Sequence, residues 1–408
     1  MSNSIGSDFG TVIIGAGQSA LTAAEQLRRR DYGAPITIIG EEAVAPYQRP
    51  PLSKTYLLGD VPLNRIVLKP ESWYEDNRIA LIKNTRAMKV DRETASVSLS
   101  DGRTISYGNL IFATGAKPRR LPGAVGGGLK GVFTIRGIED IDAIRPYLKS
   151  GNRLLVVGGG FIGLEMAAVA RKIGLSVVLI EAQNRILARV AGAQTANWIA
   201  DLHASRGVEI RTGIGLERLE REQGVISARL TDGHVLNVEC AVVGIGAEPA
   251  CDLARDAGLP CDNGISVNSM GQTCDRRIWA VGDCARYHLD TGPVRFESVG
   301  NAIDTANIVA ANISGTETRY VPRPWFWSDQ YDFKLQMAGH STADCDVLVR
   351  DVKEEGRSHW YFRGNTFVAV DALNAPRAYM IGRRLLEAAN SPSRQEIANP
   401  HVHLRNLL

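Results

Sequence analysis

Twice in this chain, about 140 residues apart, a β-rich apolar run leads into a glycine cluster, a helix-period stretch and a second β-rich run that ends in an acid. In the first copy Thr11–Ile14 precede Gly15-Ala16-Gly17-Gln18-Ser19-Ala20, a helix to about Arg30, the strand Ile36–Ile39 and Glu41. In the second, Arg153–Val157 precede Gly158-Gly159-Gly160-Phe161-Ile162-Gly163, a helix to about Ile173, the strand Ser176–Ile180 and Glu181. A duplicated βαβ unit leaves few folds open, and each copy predicts its own doubly wound α/β domain.

A glycine turn between strand and helix suits a dinucleotide for a physical reason. The first glycine makes the turn, the second lets backbone approach a pyrophosphate, and the helix N-terminus supplies N–H groups and the positive end of its dipole. The third position is Ala20 in the first copy, which the fingerprint permits, and Gly163 in the second. Alone, such a pattern fits a glycine turn in any α/β protein. Here a preceding strand, a following helix and an acid about 20 residues on coincide in both copies. Glu41 and Glu181 are placed to accept hydrogen bonds from adenosine ribose hydroxyls. A carboxylate at Glu181 repels a 2′-phosphate and favours NADH over NADPH, although Arg185 and Arg189 follow closely. Two dinucleotide sites imply two cofactors, and the natural pair is FAD with a nicotinamide, because flavin accepts a hydride and releases electrons singly.

With 408 residues the chain exceeds what one core usually serves, so two or three domains are expected. Between the copies, 87–110 reads as alternating strands with a turn at Asp101-Gly102, closed by Leu110-Ile111-Phe112-Ala113 and Thr114-Gly115. The pattern recurs after the second copy, with a turn at Asp232-Gly233 and the run Ala241-Val242-Val243-Gly244-Ile245-Gly246. Pro322 and Pro324 mark a boundary. Beyond it, 346–352, 359–362 and 366–370 read as strands before a helix near 380–389, a separate α+β domain.

Composition removes several function classes. Forty-seven basic residues against 44 acidic ones, a net of +3, show none of the clustered excess that binds nucleic acid. The six cysteines begin only at Cys240 and form no C-x-x-C pair, which argues against zinc, a bound cluster and N-terminal dithiol chemistry. The seven histidines form no metal-like cluster, so no metal is expected, and His401 and His403 fall in what reads as a flexible tail. Met1–Gly10 is polar and lacks a leader pattern, and no later run approaches the roughly 20 apolar residues that span a bilayer, so a cytoplasmic location without membrane attachment is expected. Arg28-Arg29-Arg30 reads as a helix end that sets cations against the negative end of the dipole.

Five motifs carry a resemblance to a known family. They are Arg49-Pro50-Pro51-Leu52-Ser53-Lys54, Ala113-Thr114-Gly115, Gly160-Phe161-Ile162-Gly163-Leu164-Glu165, Ala280-Val281-Gly282-Asp283-Cys284-Ala285 and Trp325-Phe326-Trp327-Ser328-Asp329-Gln330. Over nearly its whole length the chain resembles the FAD-dependent NADH:ferredoxin reductases of bacterial P450 and aromatic-ring dioxygenase systems. The resemblance implies a glutathione-reductase-like α/β fold with two doubly wound dinucleotide-binding domains and a C-terminal α+β domain. The FAD domain would comprise 1–118 and 246–323, the NADH domain 119–245 and the C-terminal domain 324–408.

It also implies roles. Arg49 would meet the phosphate or adenosine side of FAD, and Lys54 would lie close to the isoalloxazine, where a cation stabilises the negative charge of reduction. Glu165 would pair with Lys54 and face the nicotinamide; the plain alternative is a first-turn helix acid favoured by the macrodipole. Asp283, expected at the N-terminus of a further helix, would hydrogen-bond the ribityl chain, against an ordinary N-cap. Arg136 resembles a position that contacts FAD, Arg189 one that contacts the NADH adenosine, and Glu297-Ser298-Val299 the stretch beside the flavin ring and nicotinamide. Gly15, Gly17, Gln18, Ser19 and Ala20 would hold FAD with Ala113, Thr114 and Gly115. Gly158, Gly160, Phe161, Ile162 and Gly163 would hold NADH, and Gly246 completes the cofactor set. Trp325 and Trp327, two apart in an extended segment, share one face. Core packing is the ordinary reading of such a pair, while the resemblance brings one of them to the flavin–nicotinamide pocket.

The activity so implied is hydride transfer from NADH to FAD followed by single-electron transfer to a 2Fe-2S ferredoxin, a transient partner steered by charge, from a monomer or weak dimer. Two other readings stand beside it. One is a related FAD/NADH reductase of quinones or other small acceptors; the other is a flavin-binding interaction protein resembling apoptosis-inducing factor.

Overall fold

The computed structural model describes residues 9–342 and 344–408. The polar start therefore lies, but for its last two residues, outside the described part. The chain divides into two compact units. The first comprises the described part of Met1–Gln48 together with Leu63–Lys117 and Ala247–Pro322. The second comprises Arg49–Pro62, Pro118–Gly246 and Arg323–Leu408.

At the centre of the first unit is a five-stranded parallel sheet in the order Ile278–Ala280, Asn109–Phe112, Thr11–Ile14, Ile36–Ile39, Ile79–Ile82. Its inner strands are mostly apolar, broken only by Thr11, Thr37 and Asn109, because helices or loops cover both faces. On one face Ile13, Ile38 and Ile111 pack against Ala20, Ala23, Ala24 and Leu27 of helix Gln18–Arg29 and against Ala306, Val309 and Ala310 of helix Val299–Ile313. The helix predicted to about Arg30 ends at Arg29, where Arg28 donates to the carbonyls of Tyr32, Ala34, Asn77 and Arg78. The basic run thus closes a helix by satisfying loop carbonyls.

The second unit carries the duplicate sheet, in the order Val208–Thr212, Ser176–Glu181, Arg153–Val157, Cys240–Val243, Val132–Phe133, again parallel throughout. Helix Phe161–Ile173 follows the glycine turn, and helix Ala193–Ser205 leads to Val208–Thr212. The same unit holds a five-stranded antiparallel sheet ordered Trp325–Gln330, Phe333–Gly339, Thr366–Leu373, Gly356–Arg363, Asp346–Val352. Helix Pro376–Glu387 packs on it through Ala378, Ile381 and Leu385; it starts ahead of the predicted Met380 because Pro376 opens it. The fold class is therefore the expected one.

Two local expectations fail. Asp283 lies in a three-residue 3-10 turn, Gly282–Cys284, that runs into strand Ala285–Leu289, so no helix starts there. His401 and His403 do not sit in a loose tail. Leu404 and Leu407 are buried in the C-terminal core, and the buried Arg350 donates to the carbonyls of Ile397, Asn399 and Val402, pinning the chain end. Among the described residues no helix is long and apolar enough to cross a membrane.

Candidate functional site

In the first unit the C-terminal ends of the parallel strands gather the expected groups. Gly15 to Ser19 follow Ile14, Glu41 follows Ile39, Ala113 to Gly115 follow Phe112, and Gly282 and Asp283 follow Ala280. Ligands of doubly wound sheets bind at that edge. Gly15 has φ +109°, and a Cβ there would stand 2.2 Å from the Ala113 carbonyl oxygen, so the turn requires glycine. A Cβ on Gly17 would meet nothing within 4 Å. Helix Gln18–Arg29 begins without a side-chain cap and without an acid in its first turn. Its first turn thus takes no side-chain cap, which leaves N–H donors for the pyrophosphate of a dinucleotide.

The duplicate shows the same construction. Gly158 also has φ +109°, with its Cβ position 2.4 Å from the Gly244 carbonyl oxygen, and helix Phe161–Ile173 likewise starts uncapped. A Cβ on Gly160 would meet only that oxygen, at 4.0 Å. Gly163 has a packing role, since its Cβ would lie 2.1 Å from the Gly158 carbonyl oxygen. Ile162, on the first turn, stays 42% exposed, an apolar side chain left at the mouth of the cradle. Both cradles therefore fit a dinucleotide by shape and by their unused donors.

The two acids differ. Glu181 folds back on its own turn, Oε2 accepting from Gly159 N at 2.7 Å and Oε1 from Gln183 N at 2.8 Å. Glu41 points outward, with Arg86 Nε 3.9 Å away. Arg185 is committed to carbonyls, donating to Ala191 at 2.9 Å and Ala188 at 3.0 Å, which withdraws it from a 2′-phosphate. Arg189 is exposed and lies against Gly246, whose φ is +99°.

Within the second unit the structure brings Lys54 and Glu165 together. Lys54 Nζ stands 2.9 Å from Glu165 Oε1. Glu165, on the second turn of its helix, is 3% exposed, so it is a paired buried acid and not a first-turn helix acid. Ser53 Oγ donates to Oε2 at 2.5 Å and Ser328 Oγ to Oε1 at 2.6 Å. Those lengths belong to hydroxyls bonded to an ionised carboxylate. Burial pushes the Glu165 carboxyl above its ordinary range, and Lys54 and the two hydroxyls pull against that rise. The sequence reading missed Ser53 and Ser328 as individual groups, although both stand inside motifs it quoted.

Other expected residues take defined places. Arg49 donates to the Arg136 carbonyl at 2.7 Å. Arg136 N and Gly137 N both donate to Asp140 Oδ2. Thr114 Oγ1 donates to the Ala250 carbonyl at 2.7 Å, and Gln18 Nε2 to Thr22. Ser298 caps helix Val299–Ile313 by accepting from Asn301 N, while Glu297 pairs with Arg295 at 2.6 Å. Gly282, with φ +69°, is packed against Ser19 Oγ, and Arg295 donates to the Asp283 carbonyl at 3.0 Å. Trp325 and Trp327 share one face of their strand, their rings 5.5 Å apart and 20° from parallel, with the Arg383 guanidinium over Trp325. Phe326, on the opposite face, stacks on Phe161 at 4.3 Å. Among the described residues no His, Cys, Asp and Glu group is arranged to hold a metal.

The chain belongs to the pyridine nucleotide-disulphide oxidoreductase family, whose model matches residues 9–306, and a reductase C-terminal model matches 325–408. It is 39% identical to rhodocoxin reductase of Rhodococcus erythropolis, over 97% of this chain and 93% of that protein. It is 38% identical to the ferredoxin–NAD(+) reductase component of the anthranilate 1,2-dioxygenase system of Burkholderia cepacia, over 97% and 98%. Among solved structures it superposes on the reductase of a covalent putidaredoxin reductase–putidaredoxin complex with a TM-score of 0.93, at 35% identity and 98% coverage of both chains. The disulphide in the family's description has no counterpart near the first glycine turn, since the first cysteine is Cys240.

Proposed function

We propose that the protein is an FAD-containing, NADH-dependent ferredoxin reductase that serves a P450 or a ring-hydroxylating dioxygenase. The observation that carries this reading is the repetition of one device: each parallel sheet presents its own uncapped glycine turn, so the chain has seats for two dinucleotides. FAD, when bound, accepts a hydride and releases electrons singly, which a one-electron iron–sulfur acceptor needs. Each NADH then reduces two ferredoxins and releases one proton.

The chain's own residues do the rest. Gly17 and Gly160 leave room for pyrophosphate, and the helix tips behind them supply donors. Lys54, held by Glu165, offers a fixed positive charge at the reacting end, where it favours negative charge on the reduced ring system. Glu181 holds the adenosine ribose of NADH. Trp325 and Trp327, stacked on one another, supply aromatic surface to the flavin–nicotinamide pocket. Relatives named for rhodocoxin, an anthranilate dioxygenase system and putidaredoxin support a 2Fe-2S ferredoxin as the partner. The encounter is transient and steered by charge, the protein acts as a monomer or weak dimer, and it works in the cytoplasm.

The test is to mix the purified yellow protein with NADH and compare rates for a 2Fe-2S ferredoxin, a quinone and oxygen. The ferredoxin is expected to be reduced fastest. A preference for quinone at matched concentration would favour the small-acceptor reading, and negligible turnover with all three an interaction protein.

A further inference from the structure

The carboxylate of Glu165 is the end of a longer buried chain. Ser328 Oγ, which meets Glu165 at 2.6 Å, lies 3.0 Å from Gln330 Nε2. Gln330 Oε1 lies 2.7 Å from His203 Nε2, and His203 Nδ1 lies 3.0 Å from the Tyr331 hydroxyl. Glu165, Ser328, Gln330 and His203 are at most 3% exposed. The chain crosses three elements, from helix Phe161–Ile173 through strand Trp325–Gln330 to helix Ala193–Ser205.

Its direction follows from chemistry. An ionised carboxylate only accepts, so Ser328 spends its one hydrogen on Glu165 and must accept from Gln330. The Gln330 amide nitrogen is then turned to Ser328 and its oxygen to His203. That oxygen also only accepts, so His203 carries its hydrogen on Nε2, and Nδ1 accepts from Tyr331. Burial lowers the pKa of His203, which suits a neutral ring with one hydrogen. Facing the far end are Arg206, over the Tyr331 ring at 5.5 Å and paired with Asp332 at 2.7 Å, and Arg171, whose charge also acts on Tyr331. Facing Glu165 are Lys54, Ser53 and Ser328.

We propose that His203 and Gln330 are positioning residues for the Lys54–Glu165 pair, aiming every hydrogen of the chain at the Glu165 carboxylate so that Lys54 keeps its counter-ion. This rests on the reading that the pair stands at the reacting end of the site. Without the His203 donor, Gln330 is free to turn over and present its oxygen to Ser328, which then competes with Glu165 for the serine hydrogen.

The holoenzyme tests it with two readouts. One is the infrared carbonyl band of protonated Glu165, followed against pH and assigned by its absence in Glu165→Gln. The other is the pH dependence of flavin reduction by NADH in a single turnover. His203→Leu is expected to raise the pH at which Glu165 takes a proton by about one unit, the loss of one hydrogen bond to a charged group, and to move the reduction profile with it. His203→Gln, which restores an amide donor towards Gln330, is expected to return both towards the native values. Gln330→Met should act like His203→Leu, which keeps the test open if either variant folds poorly. If both removals leave the Glu165 band at its native pH, the chain only ties helix to strand and the proposal is overturned. If instead Glu165→Gln reduces its flavin at the native rate, the assignment of the pair beneath the proposal fails.

Discussion

Glu181 Oε2 accepts the Gly159 amide hydrogen at 2.7 Å, so the acid at the end of one strand is locked onto the glycine turn that follows its neighbour. The carboxylate is thus fixed beside the glycine turn, where the proposed reading seats the adenosine ribose, and Arg185 is tied to the carbonyls of Ala188 and Ala191. Both facts favour NADH. Glu181→Ala is expected to lower kcat/KM for NADH by about tenfold, the cost of a charge-assisted bond to the ribose, and to narrow the preference over NADPH. Steady-state rates with both nucleotides decide this, and unchanged kinetics would remove Glu181 from the ribose assignment.

Gly17 and Gly163 are glycines for different reasons, and a pair of substitutions separates them. Gly17 has extended backbone with φ −104°, and a Cβ there meets nothing within 4 Å, so the folded chain itself tolerates a side chain. Gly17→Val is expected to keep the melting temperature of the cofactor-free protein while losing most of the bound FAD, seen as lost visible absorbance per protein. Gly163→Val drives a side chain into the Gly158 carbonyl, 2.1 Å from the Cβ position, and is expected to destabilise by roughly 1–3 kcal/mol or more through overpacking. Equal melting temperatures for the two variants would contradict this division of roles.

Local pattern made much of this architecture legible. Thr11–Ile14, Ile36–Ile39 and Arg153–Val157 form strands with the predicted bounds, because buried parallel strands are short apolar runs closed by glycine or an acid. The Lys54–Glu165 contact joins residues far apart in the chain and was open to the sequence only through family motifs. Gln330 stood only as the last residue of a family motif, and His203 gave no signal of its own: a lone histidine on a helix is an ordinary residue until the strand beside it is known. Asp283 misled because an apolar strand followed by Gly-Asp resembles the start of a helix, whereas the chain turns through Gly282 at φ +69° into another strand. The packed C-terminus was missed because the partners of Arg350 lie close to 50 residues away in the chain.

The buried group around Thr195 couples stability to pH through two opposed titrations. Thr195 Oγ1 and the Tyr361 hydroxyl each donate to Asp371 Oδ2 at 2.6 Å. Arg357 Nε donates to His359 Nε2 at 3.1 Å, so the neutral ring carries its hydrogen on Nδ1, 2.7 Å from Thr195 Oγ1. Burial pushes the Asp371 carboxyl up to about 6, and burial with the Arg357 cation brings His359 down to about 4. A raised carboxyl contributes stability that is complete below its ordinary range and is lost as pH rises through about 6. A depressed imidazole contributes stability that is complete above 6.5 and is lost as pH falls through about 4. The two act in opposite directions across one window and largely cancel in the native protein. Asp371→Asn is therefore expected to lose stability relative to native as pH falls from 6.5 to 4, and His359→Gln to gain it, each by up to about 3 kcal/mol. Melting temperatures of both variants, taken as differences from native at each pH, check this. Differences that stay flat in both would show that neither group titrates away from its ordinary range.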